Sequence, residues 1–217
     1  STAGIGNAIA KGLAATGAEV VVNGRGQAKV DAAVAAIEQA VPGAKVRGIA
    51  ADVSSAEGCR ALLAALPEVD ILINNAGGSR PLPVDAPDSK WDEAIALNFT
   101  SYRRIAHALL PQMIERKWGR IVNITSHAVK APIGMLGLSN GARSGLTGFV
   151  AGLARTTAEH NVTINNLLPG TFDTDRLKSN LQALANSTNR AVDRVTEEIK
   201  SANPSKRFGH PDEFGAA

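Results

Sequence analysis

Ser126, Ser139 and Arg143 pose the chemical question. Ser126 follows an apolar, β-branched run, residues 120–124, which is too short for a helix and reads as a buried strand. Ser139 lies thirteen residues further on, and Arg143 one helical turn after it. They open a helical run, residues 139–160, with Leu146, Phe149, Val150 and Leu153 on one side. A strand's carboxyl end facing a helix start is where ligands sit in open α/β sheets. The chemistry available there is lopsided. An arginine holds its charge and donates hydrogen bonds but does not release a proton, and a serine hydroxyl is a far weaker acid than a phenol. His127, next to Ser126, carries a group that exchanges protons near neutral pH. Successive residues leaving a strand point apart, so its part as a surrogate acid stays open.

The elements that must position these groups alternate along the chain. The reading gives helices over residues 7–16, 27–40, 54–66 and 90–116, and strands over 19–23, 45–50, 70–73 and 162–168. Val30, Val34 and Ile37 mark the inner face of the second helix, which Pro42-Gly43 ends. Ser54 with Glu57 forms a capping-box pattern, and Asp88 or Ser89 is the expected cap of the long helix. Residues 78–87 form a Pro-rich loop containing Arg80. Residues 175–201 are polar and helical, with Leu177, Leu181, Leu184, Val192, Val195 and Ile199 at the apolar positions. No repeat or linker interrupts the pattern, so residues 1–217 are expected to form one domain.

Composition narrows the classes. The chain has 217 residues, 44% of them hydrophobic, enough for a sizeable core. Its one cysteine, Cys59, excludes an internal disulfide framework and fits a reducing compartment. With no secretory leader and no long uncharged apolar run, a soluble cytoplasmic protein without membrane contact is expected. The net charge of +3 is dispersed, and the basic run Arg116-Lys117-Trp118-Gly119-Arg120 reads as a solvated turn rather than a nucleic-acid contact. His107, His160 and His210 lack metal-ligand spacing, and no metal is expected.

A glycine turn opens the chain: Ser1, Thr2, Ala3, Gly4, Ile5, Gly6, then a helix and a strand. In that context the glycines let backbone N–H groups approach a pyrophosphate at a helix N-terminus. At the end of the next strand an acidic residue would select NAD; here Gly24 is followed by Arg25, which favours NADP(H), unless Arg25 is an ordinary surface arginine in a tight turn.

These stretches together resemble the short-chain dehydrogenase/reductase family. Ser126 matches the family's catalytic serine. The run Arg143-Ser144-Gly145-Leu146-Thr147-Gly148-Phe149 matches the context of its Tyr-x-x-x-Lys pair, with Ser139 at the tyrosine and Arg143 at the lysine. Asn74-Asn75-Ala76-Gly77 is the family's Asn-Asn-Ala-Gly signature, Asn98 matches its active-site asparagine, and residues 169–174 keep its Pro-Gly-x-x-x-Thr turn. The resemblance implies a Rossmann-like, doubly wound, three-layer α/β/α fold, shortened here at both ends and lacking the first and last strands. It implies Ser126, Asn98, Ser139 and Arg143 as the catalytic positions. Cofactor contacts would come from Ser1, Gly4, Ile5, Gly6, Arg25, Asp52, Asn74, Ala76, Gly77, Arg143, Pro169, Gly170 and Thr174. Asp52 would meet the adenine, or else simply start the next helix. Residues 175–201 would form a substrate lid, or a surface hairpin. Tyr102, the only tyrosine, is expected to pack or to serve an interface. The expected activity is NADP(H)-dependent oxidation and reduction of a small carbonyl/alcohol substrate, in a homodimer or homotetramer built through the helices of Asn98 and Arg143. The alternatives are a cofactor-binding protein without turnover and a different reaction on the same fold, such as dehydration or epimerisation.

Overall fold

Short β-branched runs alternate with amphipathic ones, and they become strands and helices in the computed structural model, which describes residues 1–66, 68–78, 81–82 and 85–217. In chain order these are α1 (Gly4–Ala15), β1 (Val20–Gly24), α2 (Gln27–Ala40), β2 (Val46–Ala50), α3 (Ala56–Ala64), β3 (Ile71–Asn74), α4 (Asp88–Ile95), α5 (Ser101–Glu115), β4 (Gly119–Ile124), α6 (Gly137–Thr157), β5 (Val162–Leu167), α7 (Asp175–Ser187), α8 (Val192–Ala202) and α9 (Pro211–Gly215). A π-helical turn, Ala96–Thr100, joins α4 to α5, and a 3₁₀ turn covers His127–Val129. The chain gathers into two compact units, Ser1–Gly48 with Gly170–Ala217, and Ile49–Pro169.

In the second unit, β3, β4 and β5 form a parallel sheet with β4 in the middle. Parallel strands covered on both faces run apolar along their length, and Ile121 and Ile124 of β4 are buried accordingly. Ile105, Leu109 and Met113 of α5 and Leu146 and Val150 of α6 complete this core. Each such side chain, fully buried, contributes about 1.5–3 kcal/mol relative to exposure. α6 presents Leu138, Ala142, Leu146 and Val150, one per turn, to the interior. Phe149, read from the sequence as part of that stripe, is 37% exposed and meets Phe99 edge-on at 5.8 Å.

In the first unit, Val20 and Val22 of β1 pack with Ala33 and Ile37 of α2 and with Ala10 and Ala14 of α1. The polar run over residues 175–201 is two helices, α7 and α8. They share a small core of Leu181, Ala185 and Val195, against which Leu177, Leu184, Val192, Ile199 and Phe208 pack.

Three local readings are corrected. Ser55, not Ser54, caps α3 by accepting from the Gly58 N–H at 2.9 Å, because the Asp52 carboxylate already holds Ser54. α4 begins at Asp88 behind Pro87, with no side-chain cap. The helix expected over residues 90–116 changes to π spacing at Ala96–Thr100. The basic run near β4 is paired at both ends: Arg116 meets Glu68 at 3.2 Å and donates to the Val69 carbonyl, and Arg120 stacks on Trp118 at 4.7 Å. Arg80 lies outside the described residues. Among the described residues, no helix is long and apolar enough to cross a membrane.

Candidate active site

The second unit assembles its polar groups at the carboxyl end of β4. Thr125 continues the pairing with β5, its N–H donating to the Leu167 carbonyl at 2.9 Å. Ser126 stays extended, and its Oγ accepts from the Ala128 N–H at 3.1 Å, which turns the chain into the 3₁₀ turn. Ser139 and Arg143, on the first turns of α6, are both 7% exposed. Arg143 donates through Nε to Ser139 Oγ at 3.2 Å and through Nη1 to the carbonyls of Ile124 and Thr125, both at 2.8 Å. A buried charge is costly unless hydrogen-bonded, and strand-end carbonyls supply these bonds. Because Ser139 Oγ accepts from the guanidinium, its own hydrogen is left to donate elsewhere.

Gly77 leaves room for this arrangement. A Cβ there would lie 2.5 Å from Arg143 Nη2 and 2.9 Å from Asn98 Oδ1. Asn98 is fully buried, the opposite of a solvent-facing helix residue. Its Nδ2 donates to the Ala94 carbonyl and its Oδ1 accepts from the Gly78 N–H, each at 2.8 Å. The amide thus takes up a helix carbonyl where the ladder changes to π spacing, and ties the helix to the loop after β3. Tyr102, one turn on, is 1% exposed, and its hydroxyl donates to the Ile124 carbonyl at 3.3 Å.

Two further sets of contacts at this edge go beyond the residues named from the sequence. Asn74, Asn123 and Asn166 are register partners on β3, β4 and β5, and their amides form a ladder: Asn74 Nδ2 donates to Asn123 Oδ1 at 2.9 Å, and Asn123 Nδ2 to Asn166 Oδ1 at 3.1 Å. The signal was present, since each asparagine stands at or just before its strand's last residue. The second is how His127, itself named from the sequence, is held. Its N–H and its ring Nδ1 both reach the Pro169 carbonyl, at 3.1 and 3.2 Å. Asp52 also belongs to this unit; its Oδ1 accepts from the N–H and the hydroxyl of Ser54, at 3.0 and 2.7 Å. Ala76 is half-buried against the core.

The first unit holds the glycine turn. Ala3 precedes α1 without a side-chain cap, and no acidic residue stands in the first turn of Gly4, Ile5 and Gly6, so the helix presents donors rather than a satisfied end. Gly4 has φ +55°, a left-handed conformation that glycine adopts without strain, and a Cβ there would press on Thr174 Cγ2 at 3.3 Å. Thr174 caps α7 by accepting from the Leu177 N–H at 3.2 Å. Gly4, Asn7, Asp173, Thr174 and Asp212 line an open cleft. Its acidity is partly offset: Lys11 pairs with Asp212 at 2.6 Å and holds that carboxyl below its usual range, and Lys178 lies 3.5 Å from Asp173. At the end of β1, a Cβ in place of the Gly24 hydrogen would lie 2.6 Å from Thr2 Cγ2, so that any side chain there would displace Thr2, and Arg25 is exposed. The Ser1 amine donates to the Asn23 carbonyl at 2.5 Å, and Gly170 is exposed.

A parallel sheet with polar side chains gathered at its carboxyl edge, and a glycine turn feeding a helix, define a Rossmann-like α/β protein. The family model for short chain dehydrogenases matches residues 1–185, and the chain belongs to that family. It is 36% identical to a D-beta-hydroxybutyrate dehydrogenase of Cupriavidus necator over all of this chain and 85% of that one. It is 34% identical to a 3-oxoacyl-[acyl-carrier-protein] reductase of Vibrio harveyi, over 99% and 83%. Among solved structures, an actinorhodin polyketide ketoreductase with NADPH superposes with a TM-score of 0.93 at 28% identity, over 99% of this chain and 84% of that one. L-sorbose reductase from Gluconobacter frateurii, complexed with NADPH and L-sorbose, gives 0.90 at 28%, over 100% and 84%. The chain therefore has the doubly wound α/β/α fold, and its relatives are oxidoreductases.

Proposed function

We propose that the protein is an NADP(H)-dependent oxidoreductase of small carbonyl/alcohol substrates, in which two serine hydroxyls hold the carbonyl oxygen and no phenol serves as the acid. The observation that carries this reading is the hydrogen bond from Arg143 Nε to Ser139 Oγ. A hydroxyl that accepts from a buried cation is a better donor in its turn. Ser126, whose Oγ also accepts from backbone, is the second donor at the same strand end. Both polarise a carbonyl oxygen, and neither yields its proton at neutral pH.

The residues present fit a phosphorylated nicotinamide dinucleotide. The uncapped start of α1 suits a pyrophosphate, while Gly24 and Arg25 suit a 2′-phosphate better than a free ribose hydroxyl. Relatives point the same way, two of the superposed reductases being complexed with NADPH. Ser1, Ile5, Gly6, Asn74, Ala76, Pro169, Gly170 and Thr174 are the other proposed contacts, with Asp52 for the adenine. When bound, the reduced cofactor supplies a hydride to the carbonyl carbon. Arg143, held by Ser139 and the strand-end carbonyls, is the proposed neighbour of its ribose. Exposed Ile95 and Phe149, on helices near Asn98 and Arg143, support a homodimer or homotetramer through those helices.

A second reading, cofactor binding without turnover, is favoured by one observation: the guanidinium is committed to Ile124, Thr125 and Ser139 at the position where the family has a lysine beside a tyrosine. Titration with NADPH and NADH, followed by reduction of a panel of 3-oxo esters, 3-oxoacyl thioesters and ketoses, separates the two. Tighter binding of NADPH with measurable reduction of at least one panel member is expected. NADPH binding with no reduction supports the second reading, and no binding of either nucleotide overturns both.

A further inference from the structure

We propose that His127 is a positioning residue that fixes the chain's exit from β5 at Pro169, where the proposed cofactor contacts Pro169 and Gly170 begin; the proposal rests on the cofactor-binding part of the reading above. Its basis is the way the pairing of β4 with β5 ends. Ile124 and Leu167 are the last register partners. Beyond them, the Thr125 N–H and hydroxyl both reach the Leu167 carbonyl, at 2.9 and 3.2 Å. Two residues on, the His127 N–H and ring Nδ1 both reach the Pro169 carbonyl, at 3.1 and 3.2 Å. The backbone bonds keep the even spacing of a parallel ladder, and the side chain of the donating residue doubles each one.

The doubling matters most at the second step. Proline has no N–H to return, and Gly170, exposed and without a side chain, follows it at once. Two donors on one carbonyl hold that point of the chain to the end of β4. His127 is itself anchored. Its carbonyl accepts from the N–H groups of Lys130 and Ala131, at 2.9 and 3.0 Å, and it opens the 3₁₀ turn that Ser126 caps. A carbonyl oxygen only accepts, so the ring contact needs a hydrogen on Nδ1, whether the ring is neutral or protonated. One residue thus pins the turn after Ser126 to the start of the turn at Pro169. A binding turn that is fixed before its ligand arrives loses less conformational freedom on binding. Without the ring contact the exit loosens, and the loss falls on cofactor affinity rather than on the chemical step.

The first test needs neither nucleotide nor substrate. In ¹⁵N-histidine-labelled apoprotein, the ring resonance absent from His127→Asn should report the Nδ1–H tautomer in the neutral state. The Nε2–H tautomer overturns the proposal. The second test is calorimetry with NADPH at a temperature where every variant is folded, so that affinity does not register a loss of stability alone. His127→Asn keeps an N–H donor one bond from Cγ, as Nδ1 is, and should bind NADPH within about twofold of the wild type. His127→Leu fills similar space without a donor and should bind it up to about tenfold more weakly, the equivalent of one hydrogen bond. Wild-type NADPH affinity in His127→Leu overturns the role of His127 and leaves the oxidoreductase reading intact. Equal weakening in both variants overturns it too, because the donor is then not what matters. A wild type that does not bind NADPH overturns the proposal and the reading beneath it. If the leucine variant folds poorly, His127→Phe, a ring without a donor, takes its place in the comparison.

Discussion

The two compact units differ in how they hold charge. In the first, ionic contacts are on the surface: Lys11 with Asp212, Arg207 with Glu213, and Arg190 and Arg194 with Glu198. There, α1 starts uncapped beside glycines. In the second unit the central charge, Arg143, is buried and held by backbone carbonyls and a hydroxyl, among amide ladders and a buried phenol. The first arrangement leaves groups available to a ligand at little cost to stability. The second spends its hydrogen bonds internally, so a substitution there acts on the fold before it acts on chemistry.

Arg143→Ala is the largest expected break in that contrast. It removes a charged donor from both the Ile124 and Thr125 carbonyls, of which Ile124 keeps the Tyr102 hydroxyl, and opens a cavity, so unfolding free energy should fall by about 2–4 kcal/mol, the range for losing charged hydrogen bonds to buried groups. Chemical denaturation measures it. Arg143→Lys should recover part of the loss, because one ammonium cannot span Ser139 and both carbonyls. A variant as stable as the wild type would mean that the guanidinium serves a ligand rather than the sheet edge.

Arg25→Ala sharpens the comparison from the other side. Arg25 is exposed, so stability should change by less than about 0.5 kcal/mol. NADPH affinity should fall by about 1.5–3 kcal/mol, roughly 10- to 100-fold, as a charge-assisted phosphate contact is lost. NADH affinity should stay level. Calorimetry with both nucleotides decides, and equal NADPH affinity in the two proteins would return Arg25 to the role of a surface residue.

The same division governs what was legible in the sequence. α2 matched its expected span because Val30, Val34 and Ile37 repeat at helical spacing and nothing distant competes. β4 and the start of α6 were readable from β-branching and periodicity. The π turn at Ala96–Thr100 was not, because it depends on the Asn98 amide meeting Gly78, twenty residues away. The cap of α3 moved by one residue because Asp52 and Ser54 bond to each other first. At the site, residue types were legible and bonding was not. Ser139 and Arg143 were placed in sequence, but that the guanidinium would turn to the strand-end carbonyls follows from the depth at which α6 packs.

The smallest effect expected is acid sensitivity in the first unit. Glu213 accepts from both terminal nitrogens of Arg207, at 2.7 and 2.6 Å, and from the His210 N–H at 2.6 Å, which closes the capping box of α9. Hydrogen bonds from Arg207 first, then from the His210 backbone, bring its carboxyl down to about 2. An unfolded glutamate titrates near ~4.3. A carboxylate whose pKa is depressed in the folded state adds stability that is fully present above the unfolded value and is lost as pH falls through the folded one. The contribution of Glu213 should therefore fade between about pH 4.5 and about pH 2. Because the group is exposed, salt should weaken the effect as well. Glu213→Gln keeps an acceptor for His210 but cannot ionise, so its melting temperature should lie slightly below that of the wild type at pH 6, converge with it as pH approaches 2, and show less dependence on salt. A gap that stays constant down to pH 2 would mean that packing of α9 against α1, rather than the Arg207–Glu213 pair, sets the variant's loss. The first unit would then owe less to its surface charges than the comparison with Arg143 supposes.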